Sequence, residues 1–113
     1  MCIRDRREAD GLGLLTAGTR RGEATGKLYE YLGAERPILV LGDETEAARI
    51  VREADAGEVA PAGEPEAIAA ALERLPSHMT GAPQGYSYPE IARRYAELVE
   101  LARERARARK ASR

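Results

Sequence analysis

The chain has 113 residues, enough for one domain with a modest core. Its formal net charge of −1 argues against a dedicated nucleic-acid binder, and its 43% hydrophobic content argues against global disorder. A single cysteine excludes an intramolecular disulfide, so nothing in the composition points to secretion. No apolar run approaches the ~20 residues that span a bilayer. We therefore expect a cytoplasmic protein.

The first eight residues stand apart from the rest of the chain. Met1–Arg6 (MCIRDR) resembles translated sequencing-adapter sequence. We therefore expect residues 1–8 to be a non-native start joined to a truncated edge, and the natural protein to extend upstream.

From there strands and helices alternate. Three short apolar segments predict strands at Gly11–Ala17, Pro37–Leu41 and Gly57–Ala60. Amphipathic segments predict helices at Thr25–Ala34, Asp43–Ala54, Glu64–Leu75 and Tyr88–Arg109. Two polar or Gly/Pro-rich stretches, Gly18–Glu23 and Pro76–Ser87, are predicted loops.

Local signals place the helix starts and the helix faces. Thr25 is the predicted N-cap of the first helix, and Asp43 that of the second, with Glu46 completing a capping box. The predicted inward residues are Ala47, Ile50, Val51 and Ala54 in the second helix, Ile68, Leu72 and Leu75 in the third, and Ile91, Tyr95, Leu98, Val99 and Ala102 in the last. We expect the last of these stripes to be partly exposed in a truncated protein.

The alternation predicts an α/β fold with a parallel sheet and right-handed crossovers. Pro37–Leu41 is apolar throughout, so it is the predicted central strand, buried on both faces. Three strands leave Gly11–Ala17 at an open edge, which natural proteins avoid. The pattern therefore indicates a partial doubly wound, Rossmann-like sheet followed by a long C-terminal helix.

One motif in this pattern indicates a protein family. Gly26–Leu32 (GKLYEYL) is followed by Arg36-Pro37, an apolar strand, a helix, a short strand and a helix that opens at Glu64. In this order the chain resembles the C-terminal domain of two-Rossmann-domain (GT-B) glycosyltransferases of the group 1, glycogen-synthase-like superfamily. The resemblance implies that residues 9–87 are the second half of a nucleotide-sugar-binding domain, that 88–113 form a C-terminal helix with a basic tail, and that the enzyme's N-terminal domain is missing.

The resemblance also implies which residues meet the donor, a nucleotide-diphosphate sugar. Glu30 matches the family's carboxylate that accepts hydrogen bonds from the nucleotide ribose, a role that suits an ionised carboxylate. Thr25, Gly26, Lys27 and Leu28 open the helix, whose free N–H groups and positive end suit a diphosphate. The alternatives are a solvated Glu30 and an ordinary capped helix start. We expect no catalytic residue, metal ligand or cofactor in this chain, and the acceptor is unknown.

Two positions depart from the family pattern. Gly22 stands where many retaining members carry a second Glu, with Glu23 one residue later, so the stereochemical outcome is open. Glu35 stands where the family often has Gly. A left-handed cap at Glu35 would cost about 1 kcal/mol relative to Gly, unless the turn uses Gly33.

Other functions fit parts of the same pattern. A sugar-nucleotide 2-epimerase would bind the same donor, and a small non-catalytic α/β binding module would need no further domain.

His78 has no metal-ligand partner at useful spacing. The basic tail, Arg103–Arg113, suits the negative end of a helix, with peripheral attraction to an anionic membrane as the alternative. The leading prediction is a glycosyltransferase fragment that is inactive alone.

Overall fold

The computed structural model describes residues 3–16, 22, 24–79 and 81–113. Within these ranges the chain forms three strands and five helices. In chain order they are α1 (Ile3–Glu8), β1 (Leu12–Leu15), α2 (Gly26–Gly33), β2 (Ile38–Leu41), α3 (Glu46–Glu53), β3 (Gly57–Ala60), α4 (Pro65–Arg74) and α5 (Tyr88–Ala111). The predicted loop Gly18–Glu23 lies outside the described residues, Gly22 apart, and so does the candidate carboxylate Glu23.

The three strands form one open parallel sheet in the order β1-β2-β3, which confirms the predicted direction and the central place of the second strand. Ile38 is paired with Leu12 on one side and with Gly57 on the other. A Cβ at Gly57 would lie 1.8 Å from the Ile38 carbonyl oxygen. Glycine at the start of β3 therefore lets the two backbones approach closely.

The sheet is covered unequally on its two faces. Ile38 and Val40 face the larger core, which α2 and α3 complete together with β1. Leu39 faces a smaller cluster with Ala60 and Ala71 under α4. In the described ranges no helix covers that second face over β1, where Leu15 is 74% exposed. The sheet thus has the two-layered cover of a doubly wound fold only at β2 and β3.

The start of α3 differs from the prediction. Thr45, and not Asp43, is the N-cap, because its Oγ1 accepts a hydrogen bond from the Ala48 N–H at 3.2 Å. The Thr45 hydroxyl also donates to the Gly42 carbonyl and lies 3.3 Å from the Thr16 hydroxyl. This buried contact with the end of β1 fixes Thr45 at the cap, so the predicted Asp43 capping box is wrong.

The inward face of α4 is also rotated from the prediction. Ala71 is fully buried, with Ile68 and Leu75 packed beside it, whereas Leu72 is 54% exposed. The small Ala71 side chain faces the sheet, and Leu75 reaches over Gly11, just before β1. The prediction is therefore right for Ile68 and Leu75 and wrong for Leu72, and the inward face is turned by about a tenth of a helical turn.

The turn between α2 and β2 uses a left-handed residue at Glu35, whose φ is 58°. Gly33 belongs to α2 and does not supply the turn. The same turn is attached to α1, a helix that the sequence analysis did not predict, because the Arg36 Nε donates to the Arg7 carbonyl oxygen at 2.6 Å.

The last helix, α5, projects from the sheet. It has 24 residues, none of which is buried, and the molecule measures 61 × 30 × 23 Å. Its start is fixed by a capping box between Ser87 and Glu90. The predicted inward packing of its apolar stripe is wrong, because Tyr95 is 70% and Leu98 62% exposed, which goes beyond the partial exposure that we expected. No helix in the described ranges combines the length and apolarity needed to cross a membrane.

Candidate functional site

Helix α2 begins at the carboxyl edge of the sheet, because it leaves the end of β1 and leads back to the start of β2. Ligands of open parallel sheets bind at this edge. Gly26 and Lys27 form the first turn and are exposed. The first N–H groups of a helix have no intrahelical acceptor and carry its positive end, so this turn can attract an anion.

Thr25 occupies the N-cap position of α2, as predicted, but its hydroxyl does not cap the helix. The Thr25 Oγ1 atom is buried and has no hydrogen-bond partner in the described part of the chain. An unsatisfied buried hydroxyl is unfavourable and uncommon. The start of α2 therefore holds a polar group whose hydrogen-bonding capacity is unused.

Leu28, predicted to meet the donor, lies in the core with its side chain fully buried. Its backbone N–H donates to the Thr25 carbonyl oxygen at 3.0 Å. In this conformation its side chain does not reach solvent. Leu28 instead anchors the first turn of α2 against the sheet.

Glu30 lies one turn after Gly26 on the same face of α2, and its side chain is 41% exposed. Its Oε2 atom forms an ion pair with the Nη1 atom of Arg6 at 2.6 Å. The Arg6 guanidinium packs 5.8 Å from the Tyr31 ring centroid, and the Arg6 side chain is only 15% exposed. Its Nε is buried and has no hydrogen-bond partner among the residues that the structure describes. The carboxylate predicted to hold a ribose is thus already paired with α1. This pair was not predicted, because residues 1–8 were expected to be a non-native start.

A cleft of about 460 Å³ opens beside Glu30, and we call it the Glu30 cleft. It is lined by Ile3, Arg6, Arg7, Tyr29, Glu30, Gly33, Ala34, Ser87, Tyr88 and Pro89. The Tyr29 and Tyr88 rings lie 6.3 Å apart, and the Tyr88 hydroxyl donates to the Gly26 carbonyl oxygen at 3.4 Å. Tyr88 thereby joins the start of α5 to the start of α2. No local sequence signal could predict this contact across 62 residues.

The predicted site residues therefore fall into three groups. Glu30 lines the cleft, and Leu28 lies in the core. The others lie at the helix start outside the cleft lining, and they are Thr25, Gly26 and Lys27. His78 is exposed and lines a different open cleft of about 430 Å³, next to Arg7, Glu35 and Arg36. In the ranges that the structure describes, no three His, Cys, Asp or Glu side chains are grouped to hold a metal ion.

Comparison with protein-family models, with curated proteins and with solved structures found no match to this chain. Any function assigned to it therefore depends on the chemistry of α2 and of the surfaces around it.

Proposed function

We propose that this chain forms the donor-binding side of a glycosyltransferase, which transfers a sugar from a nucleotide-diphosphate sugar to an acceptor. The observation that carries the proposal is the position of Glu30 one turn after the start of α2, on an open parallel sheet. Gly26 and Glu30 are separated by about 6 Å along the helix axis. An anion-attracting helix start and a hydrogen-bond-accepting carboxylate therefore lie on one face.

A nucleoside diphosphate presents matching groups at matching positions. Its ribose diol, a hydrogen-bond donor, is separated from its phosphates only by the sugar ring and one methylene. The phosphates would lie at the first turn of α2, where Gly26 has no side chain and Lys27 adds a positive charge. The diol would meet the Glu30 carboxylate. Tyr29 and Tyr88 supply aromatic surface beside it.

The Arg6–Glu30 ion pair opposes this binding mode. A ribose diol would have to replace the Arg6 guanidinium at the carboxylate, and Arg6 is mostly buried. Separating this partly buried ion pair has a free-energy cost, because the Arg6 guanidinium would lose its partner while remaining mostly buried. We therefore expect the chain to bind a nucleoside diphosphate weakly, and the variant Arg6→Met to bind it more tightly.

The test is a titration with uridine diphosphate followed by backbone amide NMR shifts, with the 2′,3′-dideoxy analogue as a second ligand. We expect saturable shifts at Gly26, Lys27 and Glu30, with weaker binding of the dideoxy analogue. Glu30→Gln should abolish the difference between the two ligands, because a neutral amide binds the diol less strongly than a carboxylate.

The control variant is Glu97→Gln, which changes an exposed glutamate on α5. It should keep the preference for the ribose. Equal affinity of the unmodified chain for both ligands, or shifts confined to other elements, would remove α2 and Glu30 from the proposed site.

A further inference from the structure

Gly33 is the last residue of α2, and its backbone is uncovered. It is helical and exposed, and a Cβ there would meet no other part of the described chain within 4 Å. Glycine is less favourable than alanine in a helix, and neither the backbone conformation nor the space around Gly33 requires it. A glycine that lowers stability without a packing reason is typical of a place where a ligand approaches the backbone closely.

Gly33 also lies on the helix face that carries the proposed donor site. At 100° per residue, Gly26, Glu30 and Gly33 fall within about 60° of the helix circumference. Along the helix axis they span about 10 Å, with the carboxylate between the two glycines. Gly33 lines the Glu30 cleft, so this cleft presents a carboxylate with uncovered backbone beside it.

We propose that Gly33 contacts the base of the donor nucleotide, whose flat face lies against the backbone of the last turn of α2. This inference rests on the proposed function, which places the phosphates at Gly26 and the ribose diol at Glu30. In a nucleotide the base and the phosphates are attached at opposite ends of the ribose ring. With the phosphates at the start of α2, the base extends towards the end of the helix, where Gly33 lies.

The cleft around Gly33 has a size and a surface that suit a base. Its volume of about 460 Å³ is within the range of small-molecule sites. Ala34 and Pro89 line it beside Gly33 and are apolar. In this conformation a base does not fit between Tyr29 and Tyr88, because their rings are tilted by 47° with centroids 6.3 Å apart and leave no parallel gap. The backbone at Gly33 is the flat surface that remains open to it.

A side chain at position 33 should therefore separate ligand binding from fold stability. Gly33→Ala adds a methyl group in open space, so it should raise the urea midpoint of unfolding while it weakens binding of uridine diphosphate. Gly33→Leu should raise the Kd for uridine diphosphate at least about tenfold, because the larger side chain occupies the place of the base. A glycine with a purely structural role would lose binding only together with stability.

The experiment compares uridine diphosphate with ribose 5-phosphate by amide NMR titration of the full chain. Both ligands carry phosphate and the diol, but ribose 5-phosphate has no base. We expect Gly33→Leu to weaken binding of uridine diphosphate and to leave binding of ribose 5-phosphate unchanged. The matched control is Ala69→Leu, which adds a leucine side chain at an exposed position of α4 and should affect neither ligand. Nuclear Overhauser effects between the uracil H5 and H6 protons and the Gly33 α protons should report the contact directly.

The proposed function and this inference fail in different ways. If neither ligand shifts the amides of α2, the proposed function is wrong, and this inference is wrong with it. If both ligands bind and Gly33→Leu weakens both equally or neither, the base lies elsewhere and only this inference is overturned. The uracil contacts decide the case in which only uridine diphosphate binds, since contacts to residues other than Gly33 would also overturn it.

Discussion

Glu35 is the residue whose backbone conformation is least suited to its side chain. Its φ of 58° lies in the left-handed region, which glycine adopts without steric cost. Asp55 has a φ of 49°, but aspartate tolerates this region better than glutamate. Gly33, by contrast, is helical, and a Cβ there would meet no atom within 4 Å. The chain therefore has glutamate where glycine fits and glycine where alanine fits.

We expect Glu35→Gly and Gly33→Ala each to stabilise the chain by about 0.5–1 kcal/mol. Asp55→Gly should give a smaller gain and serves as the comparison. Urea unfolding of the three variants measures the differences. Destabilisation by Gly33→Ala together with no gain from Glu35→Gly would show that the turn depends on Gly33.

The start of α5 is the element whose stability depends most clearly on a titrating group. The Ser87 hydroxyl and the Gly85 and Ser87 N–H groups all donate to the Glu90 carboxylate, and these bonds hold the pKa of Glu90 below its usual 4.5. A lowered folded-state pKa stabilises the fold fully above the unfolded pKa. That stabilisation is lost as the pH falls through the folded-state value, below 4.5.

We therefore expect the first turn of α5 to loosen as the pH falls below about 4.5, the ordinary value for a glutamate. The Ser87 and Gly85 amide NMR shifts should titrate together with the Glu90 carboxyl group. Glu90→Gln keeps an oxygen acceptor that has no charge to lose, so it should remove this titration. A Glu90 pKa at or above 4.5 would contradict the capping geometry.

At the scale of elements, the sequence predicts what depends on local pattern. The parallel order of β1, β2 and β3 follows from an apolar central strand and alternating helices, and the structure confirms it. The cap of α3 was not predictable, because Thr45 is held by Thr16, 29 residues earlier. The partner of Glu30 was not predicted either, because Arg6 lies in the segment expected to be a non-native start and meets Glu30 only in the folded chain. Contacts between residues distant in sequence determine which residue caps a helix and which residue pairs with a carboxylate. Local periodicity carries no information about those contacts.

In the whole molecule, much apolar surface lacks cover. The second face of the sheet is open at Leu15, and α5 stands away from the core with Tyr95 and Leu98 exposed. The larger core is built from β1, β2, α2 and α3, and the second cluster is small. A domain with so little buried apolar surface is marginally stable, and exposed stripes promote association.

The last prediction follows from this surface and from the proposed function. If the chain supplies only the donor side of a glycosyltransferase, it carries neither an acceptor site nor a catalytic base, so it should transfer no sugar by itself. It should also unfold at low urea concentration and associate at high protein concentration. In a complete enzyme, Glu30→Ala should weaken donor binding by a few kcal/mol at most, the range of charge-assisted hydrogen bonds. Sugar-transfer assays, urea unfolding and donor titrations measure these quantities. A monomer that unfolds cooperatively and transfers sugar by itself would contradict the proposed role. Such a chain would have to contain the acceptor site and the catalytic base, and the proposal places neither of them in it.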